Sequence, residues 1–103
     1  MNECSVEDLK SLVNEGGKII DVREPDELVA SSANLGEINI PLGTLESKLD
    51  SLDVNEKYIL LCRSGGRSSN AYNIMNEAGF KNLKNARGGM IQYERYLSFL
   101  PED

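Results

Sequence analysis

"YILLCRSGGRSSNAYNIMNEAG", residues 58–79, decides the fold. It opens on an apolar run, Tyr58 to Cys62, with no polar alternation. That is the pattern of a β-strand covered on both faces. From Ser68 onward the spacing changes to that of a helix, with Ala71, Ile74, Met75 and Ala78 on the inner side and Gly79 as C-cap. A fully covered strand that runs directly into a helix is half of a strand–helix–strand crossover, so the sheet it joins is parallel. Between the two lies Cys62-Arg-Ser-Gly-Gly-Arg67. A turn needs a glycine and a cap; this one carries two arginines, two glycines and a cysteine.

Outward from this stretch the same alternation repeats. Ser5 is placed as N-cap of a first helix, with Asp8 at the capping-box position and Val6, Leu9, Leu12 and Val13 on one face, stopped by Gly16 and Gly17. Residues 18–22 form a short β-branched strand, ended before Pro25, and "PDELVASSA" makes a short helix. "EINIPL" is a strand ended by Pro41. "GTLESKLDSLD" is helical, with Thr44 as cap and Leu45, Leu49 and Leu52 on one face. "KNLKNA" is weakly strand-like, and "GMIQYERYLSFL" closes the chain as a helix. The result is an α/β domain whose mostly parallel sheet is covered on both faces, read as one domain over 1–103.

Composition narrows the function. The 103 residues are 40% hydrophobic and 27% charged, with a formal net charge of −6. That sign argues against nucleic acid or an anionic membrane as partner. No stretch reads as a signal peptide or membrane span, so the expected location is the cytoplasm. Two cysteines far apart in sequence, Cys4 and Cys62, do not make a disulfide framework, and the absence of histidine leaves no zinc site within one chain and no histidine base. No metal and no cofactor are expected. Cys4 lies near a terminus expected to fray and is given no role.

In open parallel sheets ligands bind beyond the carboxyl ends of the strands, and Cys62 stands at such an end. A helix starting near Ser68 leaves its first amides unpaired. Gly65 and Gly66 let successive amides converge, and Arg63 and Arg67 add positive charge. The sum is an anion cradle with a thiol at its base, which favours the thiolate and dispenses with a base. Taken alone, Cys62 reads as a small core residue, and each arginine as a solvated charge; six residues together at one strand–loop–helix junction read as a site. Asp21 and Arg23, at the end of another strand, are either a structural ion pair or a second part of the rim.

These residues carry a resemblance to the single-domain rhodaneses of the rhodanese-like sulfurtransferase superfamily. "IIDVREPDEL" resembles the family's first signature, "EINIPL" its "AINIPL" segment, and "YILLCRSGGRSSNAYNIMNEAGF" its active-site strand, loop and helix. "NARGGMIQYE" resembles the C-terminal "L-x-GG-x-x-x-W" segment. The resemblance spans residues 5–97 and implies a three-layer fold around a central five-stranded sheet. It implies Cys62 as the sulfur-carrying nucleophile. It implies Arg63, Ser64, Gly65, Gly66 and Arg67 around the sulfur, with the arginines drawing in an anionic donor and Ser68 at the loop–helix junction. The implied reaction moves a sulfane sulfur from thiosulfate, polysulfide or a persulfide to a thiophilic acceptor, such as a thiol or dithiol protein. The chain departs from the family pattern in "SSANLGE", which replaces "G-H-I-P-G-A" with one extra residue and no histidine, and in Tyr93, which stands where tryptophan is usual. Two rival classes are a cysteine phosphatase or arsenate reductase of related fold, and a sulfur-sensing or interaction module. The phosphatase pattern C-x(5)-R has one residue more than the four, "RSGG", between Cys62 and Arg67.

Overall fold

A computed structural model describes residues 1–101. The strands are β1 (Glu3–Ser5), β2 (Lys18–Asp21), β3 (Ile38–Asn39), β4 (Lys57–Leu61) and β5 (Asn82–Arg87). They form one five-stranded sheet in the order β1-β5-β4-β2-β3, with every neighbouring pair parallel. The helices are α1 (Leu9–Asn14), α2 (Pro25–Ala30), α3 (Leu45–Lys48), α4 (Gly66–Glu77) and α5 (Gly89–Phe99), with single 3-10 turns before α1 and on both sides of α3. None is long and apolar enough to cross a membrane.

The side chains of β4 alternate between two cores, and this places the cysteine. Tyr58, Leu60 and Cys62 face one core with Ala71 and Met75 of α4 and Leu45 of α3. Ile59 and Leu61 face the other, with Leu9 of α1 and Met90 and Tyr93 of α5. Period-two alternation thus points Cys62 to the α4 side, where the loop returns. Both faces are covered, as the unbroken apolar run of β4 requires.

Several local expectations are corrected. The N-terminus does not fray: Glu3–Ser5 pair with Asn85–Arg87, and Cys4 is buried at the sheet edge. Ser5 Oγ does accept a cap bond, from the Glu7 amide at 3.2 Å, but Asp8 returns none and the first turn is 3-10. Thr44 caps nothing; its hydroxyl donates to the Pro41 carbonyl at 3.0 Å. The "EINIPL" strand is regular only over Ile38–Asn39, although the Ile40 and Leu42 amides still donate to the Asp21 and Val22 carbonyls at 3.0 Å, on either side of Pro41. Helix α4 begins two residues earlier than Ser68, and Ala78 is exposed rather than inward, while Phe80 fills the core below it. The departing loop at 31–37 is closed by Glu37, whose carboxylate accepts from the Ala33 amide at 2.7 Å and the Leu35 amide at 2.9 Å, with Asn34 and Gly36 in left-handed conformations.

Candidate functional site

The site is assembled at the carboxyl end of β4. Cys62 is 1% exposed, and its Sγ accepts a hydrogen bond from the Gly65 amide at 3.0 Å. Ser68 Oγ lies 3.3 Å from Sγ and, from the same oxygen, reaches the Gly65 carbonyl at 3.2 Å. As a thiol, Cys62 donates to Ser68, whose own proton goes to Gly65. As a thiolate, it accepts that proton's hydrogen bond instead. One rotating hydroxyl therefore serves both states. Gly65 makes the turn possible: its φ of +110° is left-handed, and it forms the N-cap of α4. Burial pushes the Cys62 thiol up. The Ser68 hydroxyl and the amides of Ser68, Gly65 and Ser64 outweigh it and hold the thiol below its ordinary value. The charge of Arg67 lies close enough to attract the thiolate as well.

A second helix keeps the cradle open. The first amides of α5 donate backward to the loop, Met90 N to the Cys62 carbonyl at 2.9 Å and Ile91 N to the Arg63 carbonyl at 3.0 Å. Those carbonyls are thereby turned from the sulfur, and amides are left to face it. The contact is possible only because residue 89 is glycine: a β-carbon there would stand 2.4 Å from the Cys62 carbonyl oxygen and 2.5 Å from that of Arg63, and φ is +59°. Cradle and second glycine pair are thus one structural unit, although 23 positions separate Gly65 from Gly88.

A family model described as "Rhodanese-like domain" matches residues 5–96, nearly the whole chain. The chain belongs to the rhodanese-like domain family. It is 41% identical over 76 residues to the "Putative sulfurtransferase YtwF" of Bacillus subtilis, covering 74% of this chain and 72% of that one. To the "Putative sulfur carrier protein YrkF" of the same organism it is 37% identical over 90 residues, 85% of this chain, and it spans 48% of that protein's length. Among solved structures, the rhodanese-related protein of Thermoplasma volcanium superposes with a TM-score of 0.85 at 29% identity, covering 98% of this chain and 96% of that one.

Within this rhodanese-like frame the remaining expected residues separate into two groups. Arg63 and Ser64 are exposed on the loop. Gly66 opens α4, and open space surrounds the position of a β-carbon there. Arg67 is not a free cation: its guanidinium grips Glu27 of α2 with bonds of 2.6 and 2.9 Å. That hydrogen bond, with the Glu24 backbone, holds the Glu27 carboxyl down at about 2. Asp21 and Arg23 form a buried ion pair, Arg23 Nη2 donating to Asp21 Oδ2 at 2.8 Å and to the Ser31 carbonyl at 2.9 Å. Asn39 ties the backbone of both by donating to their carbonyls. This network fixes the exit of β2 beside the loop, a structural duty. Tyr93 is buried against α1 and Tyr96, and takes the usual tryptophan's place in packing.

Two contributors were missed in the sequence. Asn85 on β5, 2% exposed, donates from Nδ2 to Ser69 Oγ at 3.0 Å, and Ser69 in turn donates to the Gly65 carbonyl at 2.7 Å. The cradle is thus moored to the neighbouring strand. Glu27 is the other, and only its placement in the helix "PDELVA" one strand away hinted at it. Among the described residues no three His, Cys, Asp or Glu side chains gather as a metal site.

Proposed function

We propose that the protein is a sulfurtransferase that carries a sulfane sulfur on Cys62. The observation that supports this reading most is the setting of the sulfur, buried, facing the Gly65 amide at 3.0 Å, with a hydroxyl that can turn to donate to it and no histidine in the chain. A thiol ionised by amides needs no general base. The same amides stabilise an anionic persulfide and the charge that develops during transfer. The names of the Bacillus subtilis relatives, a sulfurtransferase and a sulfur carrier, point to the same class.

The reaction is a double displacement. The Cys62 thiolate attacks the outer sulfur of a donor. With thiosulfate the sulfur–sulfur bond breaks and its electron pair leaves on sulfite; with a hydropersulfide it leaves on the thiolate of the carrier. Cys62 now bears the persulfide. A thiol or dithiol acceptor attacks its outer sulfur, and the pair of the breaking bond restores the Cys62 thiolate. Ser64, Gly65 and Ser68 supply donors to the charged sulfur, Gly66 opens the helix behind them, and Arg63 is the exposed cation at the entrance.

The phosphatase reading gains no support. Two of the five N–H donors of Arg67 are already engaged by Glu27, which leaves fewer to clamp the peripheral oxygens of a phosphoryl group. The loop is also one residue shorter than the C-x(5)-R pattern.

Transfer of sulfur from thiosulfate to cyanide, read as thiocyanate, tests the proposal. Cys62→Ser abolishes it, because a hydroxyl is neither ionised nor nucleophilic toward sulfur here. Cys4→Ser leaves it unchanged. Residual turnover in Cys62→Ser overturns the assignment.

A further inference from the structure

The charges around the loop cancel. Three guanidiniums, Arg23, Arg63 and Arg67, stand at this rim. Arg23 is bound to buried Asp21, and Arg67 to Glu27. The third, Arg63, borders a cleft of about 140 Å³ whose wall also holds Glu27 and Glu94. Two of the three cations are thus paired, and the charged side chains lining the cleft, Arg23, Arg63, Glu27 and Glu94, sum to zero. The rest of the cleft wall includes the exposed apolar side chains of Ala30 and Ile91, the latter 37% exposed, over the buried Met90. Glu94 is held toward α2 by the Ser31 hydroxyl, which donates to it at 2.7 Å.

A neutral cleft with an apolar wall suits one kind of donor. Thiosulfate is a small dianion with no organic body; it gains little from Ala30 and Ile91 and meets no surplus of positive charge. A hydropersulfide, R–S–SH, with an uncharged R carries at most one negative charge and brings an organic group to cover that wall. Resting on the sulfur-transfer reading above, we propose that Glu27 acts as a charge filter: by engaging Arg67 it discriminates against dianionic donors, and the cleft beside Arg63 receives the organic part of a low-charge hydropersulfide. In the favoured loading step the Cys62 thiolate attacks the outer sulfur of R–S–SH. The bond between the two sulfurs breaks, its electron pair leaves on R–S⁻, and the proton stays with the transferred sulfur on Cys62. Glu27 is a positioning residue, acting through Arg67.

The test compares single-turnover loading of Cys62, by intact-protein mass, with two donors: thiosulfate and the hydropersulfide of 2-mercaptoethanol. Glu27→Gln removes the carboxylate charge while keeping its shape. It raises the thiosulfate rate relative to the hydropersulfide rate about tenfold, the effect of one unit charge across a partly solvated rim. Glu27→Asp retains the wild-type ratio, and added salt reduces the difference between Gln and wild type. A purely structural Glu27 would slow both donors alike and leave the ratio where it was. Glu94→Gln, an exposed position, moves the ratio in the same direction and decides the matter if Glu27→Gln does not fold. Ratios within about twofold of wild type in the folded variants overturn the charge filter while leaving sulfur transfer intact, since such a change is smaller than one charge should give. Failure of both donors to load the wild-type protein overturns the sulfur-transfer reading, and the filter with it.

Discussion

At the scale of single residues, Cys62 is the atom on which the rest converges, and its ionisation is a measurable property. The folded thiol titrates below its ordinary 9.0, against the upward push of burial. A depressed pKa means that the thiolate persists as pH falls through values where a model thiol is already protonated. The rate of alkylation by iodoacetamide therefore has its midpoint below pH 9.0. Ser68→Ala moves that midpoint up, because it removes the largest of the lowering contributions. A Ser68→Ala midpoint equal to the wild type's would assign the effect to the amides alone. Gly89 offers a steric test of a different kind. A methyl group there meets two carbonyl oxygens of the loop, both backbone atoms that cannot swing aside. Gly89→Ala costs about 2–4 kcal/mol of stability, read from denaturant midpoints, and the loss of cradle geometry lowers turnover with it. Cys62 and the loop were legible in the sequence because the chemistry is concentrated in six consecutive residues. The ligation of Arg67 was not, because its partner lies 40 positions earlier and no local pattern links them.

At the scale of elements, two connections hold the site. One moors the loop to β5 through Asn85 and Ser69. Asn85→Ala leaves Ser69 without that donor and frees the Gly65 turn to move; sulfur transfer falls about three- to tenfold while the melting transition shifts by only a few degrees, since one buried hydrogen bond is worth roughly 1 kcal/mol. Ser69→Ala has the same direction of effect, and the double variant is no worse than the more damaging single one, as expected of a single chain of bonds. A fully additive double variant contradicts the mooring. The other connection is Glu27–Arg67, joining α2 to α4. Glu27 titrates at about 2 in the folded protein instead of 4.5. Its lowered pKa stabilises the fold above pH 4.5, and that contribution is lost as pH falls toward 2. The stability difference between wild type and Glu27→Gln is therefore constant from pH 7 to 5 and shrinks below it. The pair is partly exposed, so its size is modest and decreases with salt. Of the elements, β4 was readable from its unbroken apolar run and α4 from its helical spacing, apart from its first turn and Ala78. β1 was not: three residues with one buried side chain carry no period, and the strand forms because β5 otherwise presents an open edge.

At the scale of the whole molecule, the alternation of strands and helices was enough to give a parallel sheet with both faces covered, and the sheet order then puts the carboxyl ends of β2, β4 and β5 at one rim. What the sequence could not convey is how that rim closes on itself. Helix α5 reaches back to the β4 loop, and α2 reaches across to α4, where Glu27 pairs with Arg67 of the loop. The consequence is a thiol held toward its thiolate by amides and a hydroxyl, inside a rim where two of three arginines are paired with carboxylates. The central claim is that this thiolate carries sulfur. Intact-protein mass spectrometry after brief exposure to a sulfane-sulfur donor tests it most directly. The account predicts the added mass of one sulfur atom, located on Cys62, removable by cyanide or a dithiol, and absent from Cys62→Ser. An unmodified protein after exposure to thiosulfate, polysulfide and hydropersulfide alike, or an added sulfur that persists in Cys62→Ser, would contradict it.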